Sequence, residues 1–136
     1  MQPEHFGRRS QPANPRLLLI DDHDVSRAAC RALLRTEGID IVADLPVGED
    51  AITAAVELRA DAAIVDVTPR DERALMLARW LLAIQRPPTV LLTSSSSRTV
   101  LGPMLEGFQF IAKADLCSSE ILTAIRADQD TGGTSH

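Results

Sequence analysis

The stretch Leu17-Leu18-Leu19-Ile20-Asp21-Asp22 decides the fold, because it places two acids directly after a wholly apolar run. A second stretch, Ala62-Ala63-Ile64-Val65-Asp66, repeats the arrangement. Such runs predict buried strands, and open α/β sheets form their binding crevice at the carboxyl ends of strands. If the two strands are neighbours, three carboxylates meet in one small space. That negative charge favours a bound cation, and oxygen ligands suit a hard ion such as Mg²⁺.

Apolar runs and helical patterns alternate along the rest of the chain. The sequence predicts strands at residues 16–21, 39–43, 62–66, 89–93 and 108–112. Helical patterns occupy residues 25–36, 48–59, about 75–82 and 118–128. Asp24 is the predicted N-cap of the first helix and Gly38 its stop. This alternation with short links predicts an α/β fold of three layers, a doubly wound five-stranded parallel sheet with the flavodoxin-like order 2-1-3-4-5.

The chain of 136 residues fits one domain, which we place at residues 16–128. Residues 1–15 carry several prolines and charges, and residues 129–136 are rich in Gly and Thr. We therefore expect a disordered leader and a flexible tail. No long apolar stretch occurs, so neither a signal peptide nor a membrane span is expected.

The net charge is -5 and the sequence pI is about 5.1. This acidic balance argues against direct binding of nucleic acid, whose phosphates attract clusters of Lys and Arg. The two cysteines, Cys30 and Cys117, have no spacing typical of a metal site or a disulfide framework. They fit a reducing cytoplasm, where we expect the protein to reside.

The segment between the fourth and fifth strands breaks the regular pattern. It contains four consecutive serines at residues 94–97 and then Gly102-Pro103, where a proline removes an amide donor from a helix. The fourth helix is therefore predicted to be short, broken or mobile. Two interpretations stay open, a poorly ordered connector and a segment whose weak helicity lets it rearrange.

Five polar residues fall at the predicted carboxyl ends of strands: Asp21, Asp22, Asp66, Thr93 and Lys113. In this order they resemble the receiver domains of bacterial two-component response regulators, over residues 16–127. The run Leu-Leu-Ile-Asp-Asp-His at residues 18–23, followed by Arg27 and Leu33-Leu34, is similar to the NarL/LuxR-type subfamily.

The resemblance implies a role for each matching residue. Asp66 is implied as the phospho-acceptor, whose carboxylate attacks a phosphoryl group and forms an acyl phosphate. Mg²⁺ is implied as the cofactor, bound by Asp66, by Asp22 directly, by Asp21 through water and by the backbone carbonyl of Thr68. Lys113 is implied to pair with Asp66 and then with the phosphoryl group.

Two further residues match the switch positions of the family. Thr93 would donate a hydrogen bond to the phosphoryl oxygen, and Phe110 would then turn inward into the space that Thr93 leaves. His23 directly follows the acidic pair. We interpret it as a structural or solvated histidine, because Mg²⁺ prefers oxygen ligands.

The loop after Asp66 departs from the family pattern. Pro69 stands one place early, and Ala74 occupies a position where the family usually has glycine. An alanine matters there only if the backbone needs a positive φ. We therefore expect a different loop path and altered geometry at the Thr68 carbonyl.

The resemblance implies a sensor histidine kinase as phosphoryl donor and a downstream protein partner, or an output domain absent from this chain. A homodimer is possible, and neither nucleic acid nor a membrane is an expected partner. The protein is expected not to be a multiple-turnover enzyme, because it only accepts the phosphoryl group and slowly releases it.

Two other functions compete with the phosphorylated switch. One is an interaction scaffold that keeps the fold and works without phosphorylation, which the atypical loop and the interrupted fourth helix favour. The other is a phosphatase or phosphotransferase of the haloacid-dehalogenase type. Such enzymes place a second acid two residues after the nucleophile, and Thr68 holds that position here, so the general acid would be missing.

Overall fold

The computed structural model describes residues 14–134, with side chains as far as residue 130. Most of the predicted leader, residues 1–13, lies outside the described residues, as do residues 135–136 of the predicted tail. Within the described part, no helix is long and apolar enough to span a membrane.

Strands and helices alternate as predicted. The strands are β1 (Arg16–Ile20), β2 (Asp40–Leu45), β3 (Ala62–Asp66), β4 (Thr89–Ser94) and β5 (Gln109–Ala112). The helices are α1 (Asp24–Thr36), α2 (Glu49–Glu57), α3 (Glu72–Ala83), α4 (Arg98–Leu101) and α5 (Ser118–Thr134). Short 3₁₀ turns follow α4 at Gly102–Leu105 and β5 at Lys113–Asp115.

All five strands are parallel, and their order is β2-β1-β3-β4-β5, which confirms the predicted fold. The carboxyl ends of the strands therefore share one edge of the sheet. In the register of that edge, Asp66 pairs with Thr93 and Thr93 pairs with Ile111. The predicted site residues on β3, β4 and β5 consequently start from adjacent backbone positions.

The sheet is buried on both faces, which explains why β1 and β3 have continuous apolar sequences. Leu18, Ile20 and Val65 belong to a core cluster that includes residues of α2 and α3. Leu17, Leu19 and Ile64 belong to a second cluster that includes residues of α1 and α5. Because successive side chains of a strand point to opposite faces, one apolar run supplies both layers.

Two predicted helix ends were wrong. His23, with an extended backbone at φ -92° and ψ 107°, is the N-cap of α1, and Asp24 is already helical. The Asp24 carboxylate instead accepts a hydrogen bond from Arg27 at 3.0 Å. At the other end of the chain, α5 continues through Thr134 instead of ending at residue 128. No proline interrupts residues 129–134, so every backbone amide there can donate within the helix.

The fourth helix is short and interrupted, as predicted. Its one turn spans Arg98–Leu101, and the side chain of the N-cap residue Ser97 accepts a hydrogen bond from the Val100 amide. It ends at Gly102, where φ is +55°, and Pro103 then lies at the start of the 3₁₀ turn. A left-handed glycine followed by a proline prevents an α-helix from continuing.

Candidate functional site

The buried carboxylates of Asp21 and Asp66 share one lysine. The Nζ atom of Lys113 lies 2.9 Å from Asp66 Oδ1 and 3.4 Å from Asp21 Oδ2, and it donates to Ser26 Oγ at 2.7 Å. Asp21 and Asp66 are 2% and 8% exposed. One ammonium group faces two carboxylates, so the cluster keeps a net negative charge when both acids are ionised.

Burial is the largest influence on each of these three groups. It raises the pKa of Asp66, and the nearby charge of Asp21 adds to this rise against the opposing effect of Lys113. Burial alone would raise the pKa of Asp21 too, but hydrogen bonds from the His23 backbone and Ser26, with the charge of Lys113, lower it. The pKa of Lys113 is raised, because its contacts with Asp66 and Asp21 outweigh burial.

His23 joins the acidic cluster more closely than the sequence interpretation allowed. Its backbone amide donates to Asp21 Oδ1 at 2.9 Å, and its Nδ1 atom lies 3.3 Å from Asp21 Oδ1 and 4.0 Å from Asp66 Oδ2. The three side chains offer ligand atoms within 4.8 Å of one another. In the sequence, the position of His23 directly after Asp21 and Asp22 was the signal that could have placed it in this cluster. The side chain is 66% exposed, which agrees with a solvated ring.

The structure separates Asp22 from this trio. Asp22 Oδ1 accepts a hydrogen bond from the Val47 amide at 2.7 Å. Asp22 Oδ2 pairs with Nη1 of Arg73 at 3.3 Å. Thus the residue implied as a direct metal ligand is held toward the start of α3. Sequence reasoning did not identify Arg73, which no spacing rule connects with Asp22.

The loop after β3 forms one wall of an open pocket of about 320 Å³. The pocket is lined by Asp22, His23, Asp66, Thr68, Pro69, Arg70 and Asp71. The Thr68 carbonyl, an implied metal ligand, accepts a hydrogen bond from the Asp71 amide at 3.0 Å. The carbonyl therefore closes a turn, and a second lone pair remains for another partner.

Ala74 needs no glycine-like backbone. It lies in the first turn of α3, fully buried, and its amide donates to the N-cap carboxylate of Asp71 at 3.1 Å. The positive φ of this loop is at Arg70, at +68°. The strained backbone of this loop therefore lies at Arg70, four residues before Ala74.

Thr93 and Phe110, the residues that match the family's switch positions, make contacts with groups other than Asp66. Thr93 is buried, and its hydroxyl donates to the Ile111 carbonyl on β5 at 2.7 Å. The half-buried ring of Phe110 has the Arg98 guanidinium 5.0 Å from its centroid, and Arg98 also donates to the Phe110 carbonyl at 3.3 Å. Thr93 pairs with Asp66 in the strand register, and Phe110 pairs with Leu92. Neither side chain is bonded to Asp66.

The donor set fits a hard divalent cation. The carboxylates of Asp21 and Asp66 converge, and the one ammonium group of Lys113 does not neutralise both. Asp22 lines the pocket beside Asp66 and pairs with Arg73. Oxygen atoms from Asp21 and Asp66 are the ligand type that Mg²⁺ prefers. Asp22 offers a third carboxylate at the pocket, and Arg73 pairs with one of its two oxygens.

Comparison with known proteins identifies the relatives of this chain. No protein-family model matches the sequence. The transcriptional regulatory protein LiaR of Bacillus subtilis is 27% identical over 116 residues, which cover 82% of this chain and 54% of LiaR. The response regulator GacA of Pseudomonas aeruginosa is 35% identical over 71 residues, which cover 52% of this chain and 33% of GacA. The chain therefore spans only about half, or less, of the length of these relatives.

Solved structures show the same fold. The signal receiver domain of the putative response regulator NarL from Mycobacterium tuberculosis superposes with a TM-score of 0.63 at 20% identity, covering 90% of this chain and 99% of that domain. A CheY-like receiver domain from Methylobacillus flagellatus gives a TM-score of 0.65 at 24% identity, covering 83% and 99%. The homologues are response regulators and the fold is that of their receiver domains, which confirms the resemblance seen in the sequence.

Proposed function

We propose that this chain, with response regulators as its homologues and the receiver fold as its structure, accepts a phosphoryl group on Asp66. The observation that carries this proposal is the contact between Asp66 and Lys113. The acceptor carboxylate is buried at the carboxyl end of the central strand, its Oδ1 atom is paired with an ammonium group, and its side chain lines an open pocket.

The chemistry is transfer from a histidine of a sensor kinase. An Asp66 oxygen forms a bond to phosphorus while the phosphorus–nitrogen bond to the imidazole breaks, and the imidazole leaves with the electron pair. Lys113 is placed to balance charge on the phosphoryl oxygens, since its Nζ already contacts Asp66 Oδ1. Bound Mg²⁺, held by Asp21, Asp22, Asp66 and the Thr68 carbonyl, would neutralise the charge that accumulates in transfer.

The proposed output is a change on the surface formed by α4, β5 and α5. Thr93 would exchange its bond with the Ile111 carbonyl for one with the phosphoryl group, and Phe110 would respond. The proposed partners are a sensor histidine kinase and a downstream protein or output domain, in the cytoplasm, with a homodimer as one possible assembly. The net charge of -5 supports a protein partner for this chain over nucleic acid.

The test is chemical phosphorylation followed by intact-mass measurement. Incubation with acetyl phosphate and Mg²⁺ should add one phosphoryl group to the protein, and Asp66→Asn should remain unmodified. Without Mg²⁺ the modification should be much slower. Ordinary phosphate esters should show no multiple turnover, because we propose acceptance and slow release only. Modification of Asp66→Asn to the same extent would contradict the proposal.

A second candidate is an interaction scaffold that works without phosphorylation. It is favoured by the Asp22–Arg73 pair, which holds an implied metal ligand away from Asp21 and Asp66. This scaffold predicts that binding to a partner is equal for the parent protein, Asp66→Asn and the beryllofluoride-treated protein. An affinity change of tenfold on either treatment would exclude it.

A further inference from the structure

The carboxylate of Asp22 is held by two elements at once. The backbone amide of Val47, after β2, donates to one carboxylate oxygen at 2.7 Å, and Arg73 pairs with the other at 3.3 Å. Arg73 also donates to the Val47 carbonyl at 3.1 Å through its second terminal nitrogen. These three residues form a closed set of contacts, which we call the Asp22 latch.

The latch lies beside the acidic pocket. Asp22 lines that pocket. A cation would interact with the carboxylate oxygens of Asp22, and one of them, Oδ2, pairs with Arg73. Arg73 is thus the cation that neutralises Asp22 in this structure. A bound metal and the guanidinium would compete for the same oxygen, because each neutralises the same negative charge.

We propose that Arg73 is a positioning residue that lowers the affinity of the site for Mg²⁺ by holding Asp22 in the latch. This inference rests on the proposed function, since it concerns the metal that phosphoryl transfer needs. To bind metal through Asp22 Oδ2, the protein must first release Arg73. Phosphorylation of this chain would therefore need more Mg²⁺ than that of a variant without the arginine.

The size of the effect follows from the exposure of the pair. The side chains of Asp22 and Arg73 are 40% and 68% exposed, so water and salt screen their attraction. An exposed ion pair of this kind stabilises its closed form only modestly. Breaking it should change the equilibrium constant for Mg²⁺ binding by roughly two- to fivefold. Arg73→Ala should therefore bind Mg²⁺ about two to five times more tightly than the parent protein.

Arg79 supplies the matched control. It lies on the same helix, is exposed, carries the same charge and makes no ion pair within the part of the chain that the structure describes. Arg79→Ala changes the net charge as Arg73→Ala does but leaves the latch intact. Its Mg²⁺ affinity should stay within about 1.5-fold of the parent value, because a distant exposed charge is screened.

The full chain and both variants are titrated with MgCl₂. Calorimetry measures the Mg²⁺ affinity directly and is the first readout; amide chemical shifts are recorded in parallel. The Val47 amide is a second reporter, since its hydrogen bond to Asp22 is part of the latch. Trp80 is a third, because it lines a groove together with Arg73 and Val47. In the parent protein, Mg²⁺ should shift both the Val47 amide signal and the Trp80 signal. In Arg73→Ala the shift should occur at lower Mg²⁺ concentration.

Each outcome decides one claim. Equal affinity in Arg73→Ala and the parent, or weaker affinity in the variant, overturns the role of Arg73 and leaves the proposed function standing. Equal tightening in Arg79→Ala also overturns it, because net charge alone would then explain the effect. Failure of every protein, the parent included, to bind Mg²⁺ would contradict the proposed function itself.

Discussion

Lys113 Nζ lies 2.9 Å from Asp66 Oδ1 although the strands that position the two residues are not neighbours in the sheet. Lys113 follows β5, Asp66 ends β3, and β4 lies between them. The lysine side chain therefore crosses the end of one strand to reach the acid. Its aliphatic stem is long enough to do this while its ammonium group contacts both Asp66 and Asp21.

Lys113→Ala should destabilise the protein by about 2–4 kcal/mol, because removing one partner leaves two buried carboxylates without their cation. Thermal unfolding with and without MgCl₂ measures this. Added Mg²⁺ should raise the melting temperature of the variant more than that of the parent, since a ligand of the folded state stabilises by mass action. An equal rise in both proteins would contradict the view that metal and lysine neutralise the same acids.

Much of this arrangement could be predicted from the sequence. Apolar runs that end in Asp21 and Asp66 indicated buried strands, and the alternation with helices gave the sheet order. The latch could not be predicted, because the contact of Arg73 with Asp22 depends on where α3 begins after an irregular loop. The bond from Thr93 to Ile111 likewise depends on a side-chain rotamer, which strand register alone does not determine.

Helix α1 provides a second example. An arginine on the helical pattern of residues 25–36 would ordinarily be exposed to solvent. Instead, Arg27 is only 15% exposed and, with Arg31, binds the Asp44 carboxylate of β2 at 3.0 and 2.8 Å. Both arginines thus connect α1 to the sheet. Asp44 is more than ten residues from either arginine in the sequence, so these ion pairs could be identified only from the folded structure.

The Asp44 ion pairs predict a pH dependence. Burial alone would raise the pKa of Asp44, but the hydrogen bonds from Arg31 and Arg27 outweigh it and lower the pKa. A lowered pKa in the folded state gives stability that is present above the unfolded pKa, 3.8, and is lost as pH falls through the folded value. Asp44→Asn should therefore cost about 1 kcal/mol at pH 7.

The difference between Asp44→Asn and the parent should be constant from about pH 5 to 7 and shrink below about pH 4. Urea denaturation at several pH values provides the measurement. Asp40→Asn, on the same strand, serves as the control, because Asp40 makes no ion pair within the described residues. A difference that grows on acidification would show that the pKa is not lowered.

Thr93→Val should lower the free energy of unfolding by about 1–2 kcal/mol, because the buried Ile111 carbonyl loses the hydroxyl that donates to it at 2.7 Å. Thr93→Ser keeps the hydroxyl and should cost clearly less. Denaturant titration compares the three proteins. With beryllofluoride and Mg²⁺, the Ile111 region should show amide shifts in the parent but not in Thr93→Val, if the hydroxyl moves to the phosphoryl mimic.

Arg98 is predicted to limit the motion of Phe110. Its guanidinium covers the ring at 5.0 Å and bonds to the backbone of the same residue. Such exposed cation–π contacts contribute about 0.5–1 kcal/mol. Arg98→Ala should therefore cost no more than that in stability while the ring resonances of Phe110 broaden or shift. Unchanged ring resonances would show that Arg98 does not restrain the ring.

Arg70→Gly should stabilise the protein, although it removes a charged residue beside the acidic pocket. Pro69 and Arg70 occupy the centre of a turn that the Asp71 amide closes onto the Thr68 carbonyl at 3.0 Å, and φ of Arg70 is +68°. A turn with proline first and a positive φ second favours glycine at the second position. Relief of this strain should outweigh the entropy that glycine adds to the unfolded chain, so the free energy of unfolding should rise by about 0.5–1 kcal/mol.

Arg70→Ala is the control, because it removes the same side chain but keeps the backbone strain. It should show no gain in stability in thermal or urea unfolding. If both variants gave equal stability, the effect would belong to the arginine side chain and not to the backbone.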